Sequence, residues 1–204
     1  TTEGVEDYIS GVILFDETFR QSTADGTPFP RLLQEQGIIP GIKVDTGAKP
    51  LAGAEGEKVT EGLDGLRERL EEYYDGGARF AKWRAVIEID DTRPSRYCIG
   101  VNAHALARYA ALCQEAGLVP IVEPEVIMDG DHTIERSFEV TSRTLHAVFT
   151  ELRDQRVAPE GILLKPNMVL SGYESSTQAA HEQVAEETIR CFSRHVPAAV
   201  PGIV

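Results

Sequence analysis

Residues 161–168 have the sequence Gly-Ile-Leu-Leu-Lys-Pro-Asn-Met. A short apolar run bounded by glycine and proline is typical of a buried strand. Lys165 interrupts the run where such a strand should be apolar, and Asn167 follows two residues later. Because side chains two residues apart in a strand point to the same face, this segment predicts a strand with both polar groups on one face near its carboxyl end.

Three other apolar segments share this arrangement, a pair of polar residues spaced by two. The pairs are Lys43/Asp45 in residues 38–45, Lys82/Arg84 in residues 80–87, and Glu123/Glu125 in residues 119–127. Lysine and glutamate are almost never fully buried without a partner. Four strands that direct lysines and carboxylates to one place therefore predict a catalytic pocket.

The spacing of the strands predicts repeated βα units. Strands predicted to begin near residues 11, 41, 80, 119, 161 and 201 lie 30 to 42 residues apart, with helical patterns between most of them. No G-x-G-x-x-G or G-x-x-x-x-G-K-[ST] motif follows a strand, which argues against a nucleotide-binding doubly wound sheet. Functional residues at strand carboxyl ends favour a TIM (β/α)₈ barrel, which typically has about 250 residues. The sequence thus predicts an α/β fold: one domain, residues 1–204, forming an incomplete barrel of about five to six βα units.

The connections between the strands are predicted in less detail. The Gly- and Ala-rich segment Thr46–Glu61 is predicted to be a long loop, and such loops are often functional. Apolar residues at helical spacing predict a helix from about Asn102 to Ala116 and the longest helix at about 133–154. Trp83, between Lys82 and Arg84, is predicted to face the helices.

Composition and charge exclude several classes of protein. The chain is 42% hydrophobic and carries a net charge of −13, which disfavours binding to nucleic acid or to an anionic membrane. No run approaches 18 apolar residues and no secretion signal appears, so we expect no membrane span. Three cysteines without metal-ligand spacing indicate a reducing, cytoplasmic location.

The polar pairs suggest a specific chemistry. Desolvation and neighbouring cations lower the pKa of a lysine and make it a nucleophile, and Lys165 on an apolar strand near Lys82, Arg84 and Lys43 would meet both conditions. Glu123 among these cations could shuttle protons as an imine forms and hydrolyses. The hypothesis from the residues is Schiff-base chemistry on a phosphorylated carbonyl compound.

The same residues carry a family resemblance that spans nearly the whole chain, with motifs in order and at matching intervals. The sequence resembles class I fructose-1,6-bisphosphate aldolase in the segments 41–45 (GIKVD), 51–53 (LAG), 61–66 (EGLDGL), 80–84 (FAKWR), 107–110 (ARYA), 122–125 (VEPE), 163–168 (LLKPNM) and 196–203 (VPAAVPGI).

The resemblance implies a TIM-barrel lyase of glycolysis and gluconeogenesis. Such an enzyme cleaves fructose 1,6-bisphosphate reversibly to dihydroxyacetone phosphate and glyceraldehyde 3-phosphate without metal or cofactor, and the family suggests a homotetramer. The roles it implies are Schiff-base formation for Lys165, acid/base catalysis for Glu123, and stabilisation and protonation of intermediates for Lys82. Substrate contact is expected from Lys43, at a phosphate, and from Lys82 and Arg84, while Arg84 and Glu125 complete the charge network. From the residues themselves, Asp45 and Glu125 are expected to hold lysines in place, and Asn167 is expected to satisfy main-chain groups near the end of its strand.

Departures from the family pattern lead to one further expectation. The catalytic aspartate of the first strand would lie before Thr1, and the phosphate-binding loop and arginine of the seventh and eighth strands would lie beyond Val204. Thr46 stands where many members have lysine. We therefore expect the 204-residue chain by itself to be inactive.

Two alternatives remain open from the sequence. Another Schiff-base barrel lyase, transaldolase-like or deoxyribose-phosphate aldolase-like, would keep the nucleophilic lysine but lacks the surrounding motifs. A non-catalytic binding or scaffold protein could retain an aldolase-like surface. A zinc-dependent class II aldolase is disfavoured, because none of the five histidines has metal-ligand spacing.

Overall fold

The computed structural model describes residues 4–204. Its strands are β1 (Gly11–Leu14), β2 (Ile39–Lys43), β3 (Gly47–Pro50), β4 (Lys58–Glu61), β5 (Phe80–Ile87), β6 (Val119–Val126) and β7 (Leu163–Leu164). Its helices are α1 (Asp16–Phe19), α2 (Phe29–Glu35), α3 (Leu66–Asp75), α4 (Arg96–Glu115), α5 (Ile134–Asp154) and α6 (His181–His195). Short 3₁₀ turns lie at Val5–Asp7 and Pro159–Gly161.

Five strands form one parallel sheet in the order β1-β2-β5-β6-β7. The strands of this sheet lie side by side in the order in which they occur along the chain, as in a barrel of successive βα units. A parallel bridge from Leu164 to Ile203 marks the beginning of the next strand, as the sequence predicted. The incomplete (β/α) barrel predicted from the strand spacing is confirmed.

The apolar core lies between the sheet and its helices. Trp83 has no exposed surface and stacks on Tyr109 of α4, with ring centroids 5.6 Å apart. Ile42, Val122 and Leu164 are equally buried in the same cluster. The prediction that Trp83 faces the helices is therefore confirmed, and the alternate residues of each strand must point to the opposite face.

Two predictions about connections were wrong. Residues 46–61 form a β-hairpin and not a long loop, because β3 and β4 pair antiparallel from Gly47↔Glu61 to Pro50↔Lys58. Helix α4 begins six residues earlier than predicted, since the side chain of Ser95 caps it by accepting a hydrogen bond from the N–H of Cys98. The composition of residues 46–61 does not reveal their cross-strand pairing, and residues 96–101 lack the regular apolar spacing that predicts the rest of α4.

Strand β7 is shorter than the apolar run predicted. Residues 159–161 form a 3₁₀ turn, and only Leu163 and Leu164 pair with β6. The N–H of Lys165 still donates to the carbonyl of Val122 at 2.8 Å, and Pro166 then ends the ladder because it has no N–H. Lys165 therefore lies just beyond the carboxyl end of β7. Within residues 4–204, no helix is both long and apolar enough to cross a membrane.

Candidate active site

The register of the sheet brings the predicted polar residues onto one face. Lys43 is opposite Lys82 in the β2–β5 pair, and Arg84 is opposite Glu123 in the β5–β6 pair. This is the face turned away from Trp83 and the helices. At the other end of the same face the ring of Phe80 lies over Gly41, where a Cβ atom would come within 2.2 Å of the ring. Phe80 can occupy that position only because residue 41 is glycine.

The carboxylate of Glu123 lies between two lysines. Its Oε1 accepts a hydrogen bond from Nζ of Lys165 at 2.6 Å, and its Oε2 lies 2.7 Å from Nζ of Lys82. The Lys82 contact is an ion pair whose angles fall outside hydrogen-bond geometry. The side chain of Glu123 is 3% exposed, and that of Lys82 is 15% exposed. A buried carboxylate of this kind is stable only because it is paired.

Lys165 is less shielded than the sequence suggested. Its side chain is 41% exposed, although apolar neighbours were expected to keep it out of water. Within residues 4–204, β7 pairs with β6 on one side and makes a single bridge, at Ile203, on the other. Lys165 nevertheless points to the face that carries Glu123 and Lys82.

A second carboxylate, Asp45, organises the end of β2. Its Oδ1 accepts hydrogen bonds from Nζ of Lys43 at 2.5 Å and from the N–H of Gly47 at 3.1 Å, and its Oδ2 accepts one from the N–H of Arg84 at 3.3 Å. The side chain of Asp45 is 3% exposed and that of Lys43 is 25% exposed. Asp45 thus links the lysine of one strand to the main chain of the next.

The remaining predicted residues complete the edge of the sheet. Nε of Arg84 donates to Oε2 of Glu125 at 2.6 Å. Oδ1 of Asn167 accepts from the N–H of Val126 at 2.9 Å, and its Nδ2 donates to the carbonyl of Met168 at 2.9 Å. Asn167 therefore satisfies main-chain groups where the β6–β7 ladder has ended, as expected from its position.

Two kinds of chemical group meet at this edge. Four cations (Lys43, Lys82, Arg84 and Lys165) lie among three carboxylates (Asp45, Glu123 and Glu125), and the positive surplus suits an anionic ligand. A primary amine in hydrogen-bond contact with a buried carboxylate has the geometry required for proton transfer during imine chemistry.

Comparison with known proteins identifies the family of the chain. The family model described as "Fructose-bisphosphate aldolase class-I" (Glycolytic) matches residues 1–204. The chain belongs to the class I fructose-bisphosphate aldolases.

Relatives of this aldolase chain are found in bacteria and eukaryotes. It is 64% identical over 204 residues to the "Probable fructose-bisphosphate aldolase class 1" of Xanthomonas campestris pv. campestris, covering 100% of this chain and 61% of the relative. It is 55% identical to "Fructose-bisphosphate aldolase 6, cytosolic" of Arabidopsis thaliana, covering 100% and 57%. The chain thus spans about 60% of the length of the curated relatives it matches.

A solved aldolase structure has the same fold. The fructose-bisphosphate aldolase of Plasmodium falciparum, crystallised with TRAP and a small-molecule inhibitor, superposes with a TM-score of 0.96 at 49% identity. The match covers 100% of this chain and 59% of that one.

Within residues 4–204, no histidine or cysteine takes part in the hydrogen bonds and ion pairs that join the four cations of the site to its three carboxylates. His132 is buried, and burial lowers its pKa below the ordinary value. All three cysteines are buried and free, and burial raises the pKa of Cys98 to about 11. Among residues 4–204 no group of three or more His, Cys, Asp or Glu side chains is placed to hold a metal ion, and metal-independent chemistry stays a prediction.

Two buried polar residues that the sequence analysis missed support the site in this aldolase fold. Thr60 of β4 donates a hydrogen bond to the carbonyl of Arg84 at 2.7 Å, and Asn102 of α4 accepts one from the N–H of Thr60 at 3.2 Å. Asn102 could have been noticed from the sequence, because it lies one helical turn from Cys98 and from Leu106 on a buried face of α4. A polar residue in such a position needs hydrogen-bond partners.

Proposed function

We propose that the protein acts as a class I aldolase that cleaves fructose 1,6-bisphosphate reversibly to dihydroxyacetone phosphate and glyceraldehyde 3-phosphate. The observation that carries the proposal is the carboxylate of Glu123 lying 2.6 Å from Nζ of Lys165 and 2.7 Å from Nζ of Lys82. Family membership supports the substrate class. The surplus of positive charge at the same edge of the sheet also supports a phosphorylated substrate.

In this proposal Lys165 is the nucleophile and Glu123 is the acid/base catalyst. Glu123 takes a proton from the Lys165 ammonium, Nζ then attacks the ketone carbon, and a proton passes from the attacking nitrogen to the former carbonyl oxygen to form a carbinolamine. Proton donation from Glu123 to that hydroxyl expels water and leaves a protonated imine. The imine then accepts the electron pair of the breaking carbon–carbon bond and becomes an enamine, while a base takes the proton of the C4 hydroxyl and the aldehyde leaves. In the proposal that base is the first-strand aspartate that the family resemblance places before Thr1. Lys82, on the other oxygen of Glu123, stabilises and protonates these intermediates.

Lys43 and Arg84 are proposed to contact substrate, with Lys43 at a phosphate. Both side chains lie on the site face and are partly exposed, 25% for Lys43 and 43% for Arg84. Each is held by a carboxylate, Asp45 for Lys43 and Glu125 for Arg84, so its position is defined before a ligand arrives. A preorganised cation loses less conformational entropy when it binds phosphate.

Trapping the Schiff base tests the proposal. Full-length protein incubated with dihydroxyacetone phosphate and borohydride is expected to carry a reduced adduct on Lys165, mapped by mass spectrometry, and Lys165→Arg is expected to abolish it. Lys49 on β3 serves as an internal control and should stay unmodified. An unmodified Lys165 in folded protein would contradict the enzymatic proposal and favour a binding or scaffold role, and labelling only by other keto sugars would favour a different Schiff-base lyase.

We also propose that the 204-residue chain alone does not turn over substrate. The face of the sheet that carries the site is open, since Ile13, Ile39 and Val119 are 41%, 47% and 39% exposed. An amine that stays in contact with water gains little from the low-dielectric environment that Schiff-base catalysis uses. Cleavage assays on the isolated chain should give no turnover, and a rate near that of the full-length enzyme would contradict this expectation.

The location and assembly of the protein are proposed from its relatives. A cytoplasmic location is supported by the description of one Arabidopsis relative as cytosolic, and a homotetramer by family membership. Sedimentation of the full-length protein tests the assembly: a mass four times that of the chain is expected, and a monomer at micromolar concentration would contradict it.

A further inference from the structure

Arg84 lies where β5 continues past the end of its neighbour. Strand β2 ends at Lys43, whereas β5 continues to Ile87. The last main-chain bond between them runs from the N–H of Val44 to the carbonyl of Lys82 at 3.1 Å. The next main-chain groups on that edge of β5 are the N–H and carbonyl of Arg84, and β2 offers them no further strand residue.

Two side chains take the place of the missing strand. Oδ2 of Asp45 accepts a hydrogen bond from the N–H of Arg84 at 3.3 Å, and Oγ1 of Thr60 donates one to the carbonyl of Arg84 at 2.7 Å. Thr60 is 3% exposed, so water cannot easily replace its hydroxyl. Both main-chain groups of Arg84 are therefore held by side chains that come from the segment between β2 and α3.

The position of Thr60 is itself set from the helix layer. Asn102 is fully buried, and its Oδ1 accepts from the N–H of Thr60 at 3.2 Å. Its Nδ2 donates to the carbonyls of Lys58 at 2.9 Å and of Cys98 at 3.0 Å. A chain of hydrogen bonds thus runs from α4 through β4 to the main chain of Arg84.

We propose that Thr60 is a positioning residue for Arg84. Its hydroxyl holds the peptide of Arg84 in the orientation that places the guanidinium against Glu125 on the site face. The inference rests on the proposed function, in which Arg84 contacts the phosphorylated substrate. Loss of the hydroxyl should therefore weaken substrate binding and leave the chemical step at Lys165 largely unchanged.

Steady-state kinetics of the full-length enzyme test this. Thr60→Val removes the hydroxyl at nearly constant volume and is expected to raise KM for fructose 1,6-bisphosphate about fivefold, the equivalent of one ordinary hydrogen bond, with kcat within about twofold of wild type. Thr60→Ser keeps the hydroxyl and should restore KM. If Thr60→Val does not fold, Thr60→Ala gives the same comparison without the branched methyl groups.

A matched control is Thr144→Val. The Oγ1 of Thr144 on α5 is buried and has no hydrogen-bond partner among residues 4–204, so its removal should leave KM and kcat unchanged.

A double-mutant comparison tests whether Thr60 acts through Arg84. In an Arg84→Ala background, Thr60→Val should raise KM no further.

The outcomes distinguish the inference from the proposal on which it rests. If Arg84→Ala leaves KM unchanged, the substrate-binding role of Arg84 is wrong and the positioning role falls with it. Suppose instead that Arg84→Ala raises KM. The inference alone is then wrong if Thr60→Val leaves KM unchanged, as Thr144→Val should, or if it lowers only kcat. It is also wrong if Thr60→Val raises KM by the same factor in the Arg84→Ala background, because Thr60 would then not act through Arg84.

Discussion

Asn167 and Val126 are joined by a side-chain to main-chain hydrogen bond: Oδ1 of Asn167 accepts from the N–H of Val126 at 2.9 Å. The ladder between β6 and β7 contains only two residue pairs. Asn167 therefore extends the pairing past Pro166, which cannot donate, and holds the end of the segment that carries Lys165 to the strand that carries Glu123.

Asn167→Ala should destabilise the fold and reduce activity. The buried N–H of Val126 would lose its acceptor, which costs about 1–3 kcal/mol, and Lys165 would be held less well against Glu123. Denaturant unfolding and kcat of the full-length enzyme measure the two effects. Gln183→Ala, at an exposed amide on α6, should change the unfolding free energy by less than about 0.5 kcal/mol. Equal stabilities for the two variants would contradict the prediction.

Gly172→Ala should separate two loops at the carboxyl ends of β6 and β7. A Cβ atom on residue 172 would lie 2.1 Å from the carbonyl oxygen of Gly130, and these loops are joined by the hydrogen bond from Gly172 N–H to the His132 carbonyl at 2.9 Å. Because the obstacle is backbone, we expect a loss of about 1–3 kcal/mol and a lower kcat.

Gly100→Ala is the matched control for that substitution. Gly100 lies inside α4 with nothing within 4 Å of its Cβ position, so alanine should stabilise the protein by about 0.5–1 kcal/mol. Thermal unfolding of both variants, together with kcat for Gly172→Ala, provides the comparison. A Gly172→Ala protein as stable as Gly100→Ala would show that the two loops are free to move apart.

Glu123→Gln should remove the acid/base function with little change in shape. An amide cannot take the proton of the Lys165 ammonium, so kcat should fall about 10²–10⁴-fold, and the yield of borohydride-trapped adduct at short times should fall with it. Glu186→Gln on the exposed side of α6 should have wild-type kinetics. A kcat within threefold of wild type for Glu123→Gln would exclude Glu123 as the proton shuttle.

His132 should make stability fall in mild acid. Burial lowers the pKa of His132 below 6.5, and Arg136 acts in the same direction, although Asp131 opposes it. Below about pH 6.5 the unfolded chain binds a proton that the buried imidazole does not yet accept, so the unfolding free energy decreases as pH falls toward the folded pKa. Urea unfolding between pH 7.5 and pH 5 should show this slope, and His132→Gln should reduce it. Parallel pH profiles for the two proteins would refute the assignment to His132.

Much of the site was predictable because strand geometry is local. The two-residue spacing of Lys82/Arg84 and Glu123/Glu125 requires each pair to share a face, and Trp83 had to face the helices. The near-constant interval between strands indicated successive βα units, which the parallel sheet confirms. These predictions depend on the periodicity of residue types along the chain, and that periodicity does not depend on contacts between distant segments.

Contacts across the chain could not be predicted in the same way. The sequence predicts a loop where the β3–β4 hairpin forms, because the pairing of the hairpin and its hydrogen bond to Asn102 arise only when α4 packs beside it. The shortness of β7 depends on its pairing with β6, in which only Leu163 and Leu164 of β7 take part.

The sequence by itself determined which residues are the candidates for the chemistry and which face they share, since both follow from residue type and from alternation along a strand. Only the tertiary structure decided that Glu123 lies between Lys165 and Lys82, and that Asp45 and Thr60 hold the main chain of Arg84. The physical reason is that these contacts join residues far apart in sequence, and their distances depend on strand register and helix packing and not on local propensity.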